Sequence, residues 1–420
     1  ARGADQVEMM AKNDKGFSVT ARLGDVETVE HHNQRSIGVT VYCGKAKGSA
    51  RTNDVSAESI HKAMDAALNI ARFTAEDEFS GLADKALMAY DYPDLQLEHG
   101  WDIDTGQALQ MAIECEQVAR DDKRIVNSEG ATVSSIHSQL SYANSHGFFG
   151  EYNSTQHSLS CSVVAGDDQG MQRDYWYSVS RDPQQLESTE SVGNMARERT
   201  VRRLSASGLN TCQLPIIFEP AVARSVISHL ISALKGSAIY RQASFMVDAI
   251  DKKILPEWVH IMEDPHMLGG LASAPFDNEG VRTRARHIVE NGVLQGYVLD
   301  SYSARKLGMQ TTANAGGVHN VRTSDRGRSL DEMIKDVGKG LLVTELIGHG
   351  INSVTGDYSR GASGFWIEHG EIQHPVQEIT IAGNLTSMFE NIAEIGSDVD
   401  TRSNIQCGSI LIEGMTIAGS

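Results

Sequence analysis

The sequence predicts an α+β protein of two domains, each with a large, mainly antiparallel or mixed β-sheet flanked by helices. Three observations carry that expectation. Apolar and polar residues alternate with period 2 through long stretches of both halves, as along strands with one buried face. Helical periodicity is confined to a few segments and does not alternate with single strands in the way a parallel βαβ fold requires. Asn291-Gly292 joins the two apolar runs of 287–300 and supplies the pair of positive-φ residues that a tight type I′ hairpin turn needs.

Taken in order, Phe17–Leu23 and Val26–Glu30 alternate around Gly24-Asp25 as a hairpin, and Ile37–Tyr42 reads as a third strand. Gly44–Gly48 carries lysines but lacks the spacing of a phosphate loop, so it predicts a turn. Ser56 caps a helix reaching Phe73, with Ile60, Met64, Ala67, Leu68 and Ala71 on one face. Residues 74–100 are acidic and loop-like, and a second helix spans Thr105–Arg120. Strand patterning returns in Thr132–Tyr142, His157–Val164 and Asp174–Val179, with turns at 147–150 and 166–170. Adjacent acids in that last turn lack the further ligands a metal loop needs. A charged helix over Leu186–Ala206 leads to Gly208-Leu209-Asn210. That loop places the domain boundary, giving an α/β domain over 1–208 and a β-rich domain over 209–420.

The second domain opens with a short apolar strand, Leu214–Phe218, and a helix begun by Pro220, whose fixed φ suits the first turn. Val222, Val226, His229, Leu230, Ala233 and Leu234 form its buried face, and Gly236 ends or kinks it. Trp258–Met262 reads as a strand. Ser329 and Glu332 form a capping box for a short helix ending near Gly340. Strands follow at Leu341–Leu346, Gly364–Glu368, Glu371–His374 and Glu378–Ala382. Leu385, Met388, Phe389, Ile392 and Ile395 mark a last helix stopped by Gly396, and Ser409–Ile417 closes the chain as a strand.

Composition excludes several function classes. A formal net charge of −18 without a run of lysine and arginine argues against nucleic acid as a partner. No apolar run approaches the roughly 18–20 residues of a membrane span, and no signal peptide is read. Five scattered cysteines, Cys43, Cys115, Cys161, Cys212 and Cys407, form no CxxC pair, which suits reduced thiols in the cytoplasm.

The common catalytic motifs are missing. Neither HExxH nor HExxxH occurs, so no helix presents two imidazoles and a glutamate to one zinc. His31-His32 would point to opposite faces of a strand. Gly361–Gly364 is one residue short of a serine-nucleophile elbow and precedes a strand. No dinucleotide fingerprint follows a strand. The residues thus predict no catalytic, cofactor-binding or metal-ligating group in this chain. What stands out instead is a set of polar, Gly-rich segments in the second half, suited to close backbone approach by another chain.

Those segments carry a resemblance. APFDNEGVRTR at 274–284, IVENGVL at 288–294, LDSYSARKLGMQTTANAGG at 299–317, GDYSRGASGFWIEHGEI at 356–372 and EITIAGNL at 378–385 are similar to the TldD/PmbA family, known as modulators of DNA gyrase and as U62-type peptidases. The likeness is to its PmbA (TldE) branch and runs through essentially the whole chain. It implies a cytoplasmic heterodimer in which a TldD-like chain supplies an HExxxH zinc helix and this chain completes a cleft for unfolded peptides. If Lys235-Gly236 is matched to the Glu-Gly after that helix, the motif falls on 227–232. Ile227, Ser228 and Ser232 then stand at the first histidine, the glutamate and the second histidine.

The expectation is therefore a non-catalytic subunit of a zinc metalloprotease, with zinc in the TldD-like partner. Asn314, Tyr358, Arg360 and Ser363 are its candidate contacts to peptide or partner, because extended peptides are held by backbone and polar groups more than by reactive ones. Two other readings stand beside it: an active homodimeric metallopeptidase with unrecognised ligands, and a non-proteolytic regulator of gyrase or toxin systems.

Overall fold

The computed structural model describes residues 3–419. Strand β1 (Gln6–Arg22), β2 (Asp25–Cys43), β3 (Ala46–Thr52), β4 (Ile125–Asn144), β5 (Phe149–Asp167) and β6 (Gly170–Ser180) form one antiparallel sheet in the order β3-β2-β1-β4-β5-β6. Several of these run far past the segments that alternate in sequence. The segments 26–30 and 37–42, which read as two strands in sequence, are one strand, β2; residues 31–36 between them are largely exposed, so no burial pattern marks them. The ladder nevertheless continues, because β2 stays in register with β1 from Asp25 to Tyr42, interrupted only by a bulge at Glu27.

Helix α1 (Ala57–Phe73) lies on β2 and β3 and buries Ala67, Leu68 and Ala71 against Ile37, Val39 and Val41. Its N-cap is Ser56, whose side chain accepts from the Ser59 amide. Helices α2 (Thr105–Arg120) and α3 (Thr189–Val201) cover β1, β4 and β5 through Ala108, Ala112, Val192 and Ala196. α3 is shorter at both ends than its charged segment suggested.

The second half holds two sheets. In chain order its elements are β7 (Cys212–Phe218), α4 (Pro220–Ala233), α5 (Gly236–Tyr240), β8 (Ile261–Glu263), β9 (Arg286–Glu290), β10 (Val293–Leu294), α6 (Ser301–Lys306), β11 (Val321–Thr323), α7 (Leu330–Val337), β12 (Lys339–Ile347), β13 (Asp357–Glu368), β14 (Glu371–Asn384), α8 (Leu385–Glu390), β15 (Ile392–Ile395), β16 (Ile405–Gln406) and β17 (Ile410–Ala418). The smaller sheet runs β10-β9-β8-β11-β16, the larger β14-β13-β12-β7-β17-β15. β14 also pairs with β17, so the larger sheet curls back on itself. The fold is α+β with mixed sheets, as expected: β7 pairs parallel with β12 and antiparallel with β17.

Three expectations need correction. The last helix is two elements. It stops at Glu390, Asn391 leaves helical geometry, and Ile392–Ile395 becomes strand β15 against β17. An apolar set at helical spacing was there satisfied by a turn of helix followed by a buried strand. The two strands expected over 371–382 are one, β14, carrying bulges opposite β13 and a Glu378 with φ of 58°. Trp258 and Val259 precede β8 rather than belonging to it. The Asn291-Gly292 turn holds, with φ of 50° and 74°.

The two halves meet in an aromatic cluster. Phe276 packs edge-on against Phe148 at 5.6 Å, Tyr92 at 5.3 Å and Tyr152 at 5.4 Å between ring centroids. Beside it, Arg305 donates to the carbonyls of Phe79, Gly81 and Leu82, and Tyr302 donates to Asp77 at 2.6 Å. The APFDNEG segment is built into this seam. Asp277 accepts from the amides of Glu279, Val281 and Ala315, and burial together with the Glu279 charge pushes its carboxyl up to about 7. Phe276→Ala leaves a cavity where both halves converge and is expected to cost about 3–5 kcal/mol, read from urea midpoints at constant m-value.

Candidate functional site

The local sequence around Pro220 dictates a strand followed by a helix. Ile216, Ile217 and Phe218 of β7 are fully buried, so both faces of that strand are covered, one by α4 and one by α7. Along α4, Val222, Ala223, Val226, Ile227, Leu230, Ile231 and Ala233 are buried. The face left over carries Arg224, Ser225, Ser228, His229 and Ser232.

A cleft of about 350 Å³ opens beside the first turns of α4. Its walls come from both halves: Arg173, Asp174 and Tyr175 of β6, Arg199 of α3 and Arg203 just beyond it, Arg224 and Ser225 of α4, Thr344–Leu346 of β12, and Arg360 of β13. Five arginines and two carboxylates line it, in a chain that is strongly acidic overall.

Most of these cations are paired. Arg199 donates to both oxygens of Glu219, at 3.1 and 3.0 Å, and its Nε lies 3.5 Å from Asp174. Arg203 bridges Asp174, at 3.5 Å, and Glu345. Arg173 reaches Glu129 at 3.2 Å. Arg224 donates to the Tyr177 hydroxyl at 3.1 Å, and its one carboxylate, Asp400, is 4.0 Å away. Asp400 is already held by Arg402, through bonds of 2.8 and 3.0 Å, and Arg402 stacks on Trp176 at 3.8 Å. Arg360 forms no ion pair with any described carboxylate.

Around Arg360 three buried polar atoms lack hydrogen-bond partners: its own Nε, the Tyr358 hydroxyl and His229 Nε2. The Tyr358 ring, 1% exposed, meets His229 edge-on at 6.0 Å. Burial, and then the Arg360 charge, lower the His229 imidazole to about 4, so it is neutral at pH 7. Burial raises the Tyr358 phenol to about 12.

Of the four residues singled out in sequence, Tyr358 and Arg360 lie together here. Ser363 is buried on the same strand, opposite Glu345 at a bulge. Asn314 lies apart, in a buried network. It donates to Glu263 at 2.7 Å and to the Gly317 carbonyl at 3.0 Å, and accepts from Arg286 at 3.0 Å and Thr312 at 2.7 Å. All its hydrogen-bonding capacity is spent on holding that loop. Arg199, Arg203 and Arg224 were missed by sequence reasoning. The run Arg197–Arg203, with four arginines in an acidic chain, was the available signal, and it read only as a charged helix.

Comparison with known proteins places the chain. Models of the PmbA/TldA metallopeptidase match in three parts: domain 1 over residues 10–71, the central domain over 98–204 and the C-terminal domain over 211–419. This chain belongs to the PmbA/TldD metallopeptidase family. It is 48% identical to metalloprotease PmbA of Escherichia coli O157:H7, over 99% of this chain and 93% of that protein. Its identity to the PmbA homologue of Haemophilus influenzae is also 48%, over 98% and 92% of the two chains. A crystal structure from Bacteroides thetaiotaomicron, described as a candidate modulator of DNA gyrase, superposes with a TM-score of 0.94 at 28% identity, covering 100% of this chain and 95% of that one. TldE of Thermococcus kodakarensis shares the fold, with a TM-score of 0.88 at 20% identity over 100% and 98% of the chains.

Family membership raises the question of zinc, and the side chains here do not fit it. At the register matched to the zinc helix, Ile227 is fully buried and apolar, while Ser228 and Ser232 offer hydroxyls in place of a glutamate and an imidazole. Among the described residues no three histidine, cysteine or acidic side chains converge as a metal site. Cys407 is fully buried, and that burial, with the Asp400 charge, pushes its thiol up, away from the thiolate a metal would need. Among the described residues, no helix is long and apolar enough to cross a membrane.

The unfolded chain binds a proton at His229 near pH 6.5 and the folded chain only near 4, so this group makes stability fall as pH drops through that window. His229→Gln is expected to narrow the gap between urea midpoints at pH 7 and pH 4.5. A part of the gap remains, because burial also lowers His157 and His266.

Proposed function

We propose that this chain is the PmbA/TldE-like, non-catalytic subunit of a zinc metalloprotease. A TldD-like partner would hold the metal, and this chain would shape the cleft in which unfolded peptides are processed or degraded. The observation that carries the reading is the helix α4. It keeps its seat between β7, β12 and the seam of the two halves, while the three positions matched to zinc chemistry hold Ile227, Ser228 and Ser232. A helix that had only lost ligands would need no cleft beside it, yet one is built there from four separate strands and helices. Its chemistry is that of binding: guanidinium groups and the neutral hydroxyls of Tyr175, Ser225 and Thr344.

Co-expression with a TldD-like chain tests this directly. The expected outcome is a stable heterodimer, zinc counted on the partner alone, and hydrolysis of unfolded peptides by the pair but by neither chain singly. Stoichiometric zinc on this chain, or peptide hydrolysis by it alone, would overturn the assignment.

A further inference from the structure

We infer that the arginine cleft beside α4 is a carboxylate-binding site, and that it captures a carboxylate of an extended peptide through Arg360 and Arg224. The inference rests on the subunit reading only for the identity of the ligand as a peptide. The site itself follows from charge and hydrogen-bond accounting. Arg173, Arg199 and Arg203 spend their charge on Glu129, Glu219, Asp174 and Glu345. Arg224 and Arg360 do not. The only carboxylate near Arg224 is 4.0 Å away and is held by Arg402, and Arg360 has no described carboxylate within ion-pair distance.

These two guanidiniums reach one cleft from different walls, α4 and β13. Arg360 is half-buried, with its Nε inaccessible and without an acceptor, beside the neutral Tyr358 phenol, which cannot offset its charge. A half-buried cation whose inaccessible donor has no acceptor favours an anion, and a carboxylate has the planar fork that guanidinium donors match. The cleft volume of about 350 Å³ takes a terminal residue rather than a folded domain. Two carboxylates of a peptide fit this chemistry, the C-terminal group and an aspartate or glutamate side chain.

The test uses the full chain without partner or metal, and three fluorescein-labelled, unstructured decapeptides of alanine, glycine and serine. One ends in a free carboxylate, one in an amide, and one is amidated with a single internal glutamate. Anisotropy at low salt is expected to show the free-acid peptide binding about tenfold tighter than the plain amide, the scale of one charge-assisted hydrogen-bond pair. Arg360→Gln is expected to abolish that preference and Arg360→Lys to retain part of it. Arg224→Gln, on the solvent side of α4, reduces the preference and decides the matter if Arg360→Gln does not fold by circular dichroism. An internal glutamate that restores tight binding to the amide supports the site and assigns it to side-chain carboxylates. Equal affinity of the three peptides, absence of binding included, or an unchanged preference in both glutamine variants, overturns the inference. Because no protease activity is read, the subunit reading can fail while this site stands, and the reverse.

Discussion

The burial of helix α4 is the constraint on which the second half depends. β7 and β12 are parallel neighbours, and parallel neighbours need a crossover that leaves the sheet and returns. The chain leaves through Pro220, lays Val222, Val226, Ile227 and Leu230 onto Ile216, Phe218, Leu341 and Val343, and returns only at Lys339. Everything between those points, including four of the five strands of the smaller sheet and the loops that meet the first half, is inserted into that crossover; the fifth, β16, arrives from beyond β12. With β17 on the other side of β7 and β14 closing back onto β17, the helix has one seat and one orientation. Its unburied face is thereby aimed at the seam between the two halves.

That seam is electrostatic as well as apolar. An acidic chain concentrates arginines along it: Arg181 on the carbonyls of Gly270 and Leu271, Arg305 on those of Phe79, Gly81 and Leu82, and Arg402 on Asp400 and the Tyr177 carbonyl. Each guanidinium reaches at least one acceptor of the opposite half, and its planar fork of donors serves several acceptors at once more readily than the compact ammonium of lysine. Around α4 the same residue type outnumbers its partners. The surplus sits where the two halves and the helix meet, so a scaffold device becomes a binding surface by leaving two cations incompletely paired.

The polar, Gly-rich segments that stood out in the sequence divide between two tasks. APFDNEG and TTANAGG are spent on structure: Asp277 ties down a tight turn, and Asn314 holds Glu263 and Arg286 in a buried network. GDYSRGASG places Arg360 in the cleft wall, with Tyr358 buried in the core beside it. Nothing in composition distinguishes these cases, because a buried asparagine with every bond satisfied and a half-buried arginine with none look alike as letters. The difference lies in which partners the fold brings within 3 Å.

By itself the sequence determined the local structure wherever burial is periodic. The Ser329–Glu332 capping box, the Asn291-Gly292 turn and the helix begun by Pro220 were all legible, because each depends on a few adjacent residues. The sequence also carried the family resemblance. Tertiary structure decided what depends on distant pairing. Residues 31–36 are a strand only because β1 lies alongside, and Ile392–Ile395 is a strand only because β17 needs a neighbour on its far side. The arginine cleft belongs in the same class. Its residues span positions 173 to 360, and their surplus charge becomes meaningful only once the fold has shown which carboxylates are close enough to cancel it.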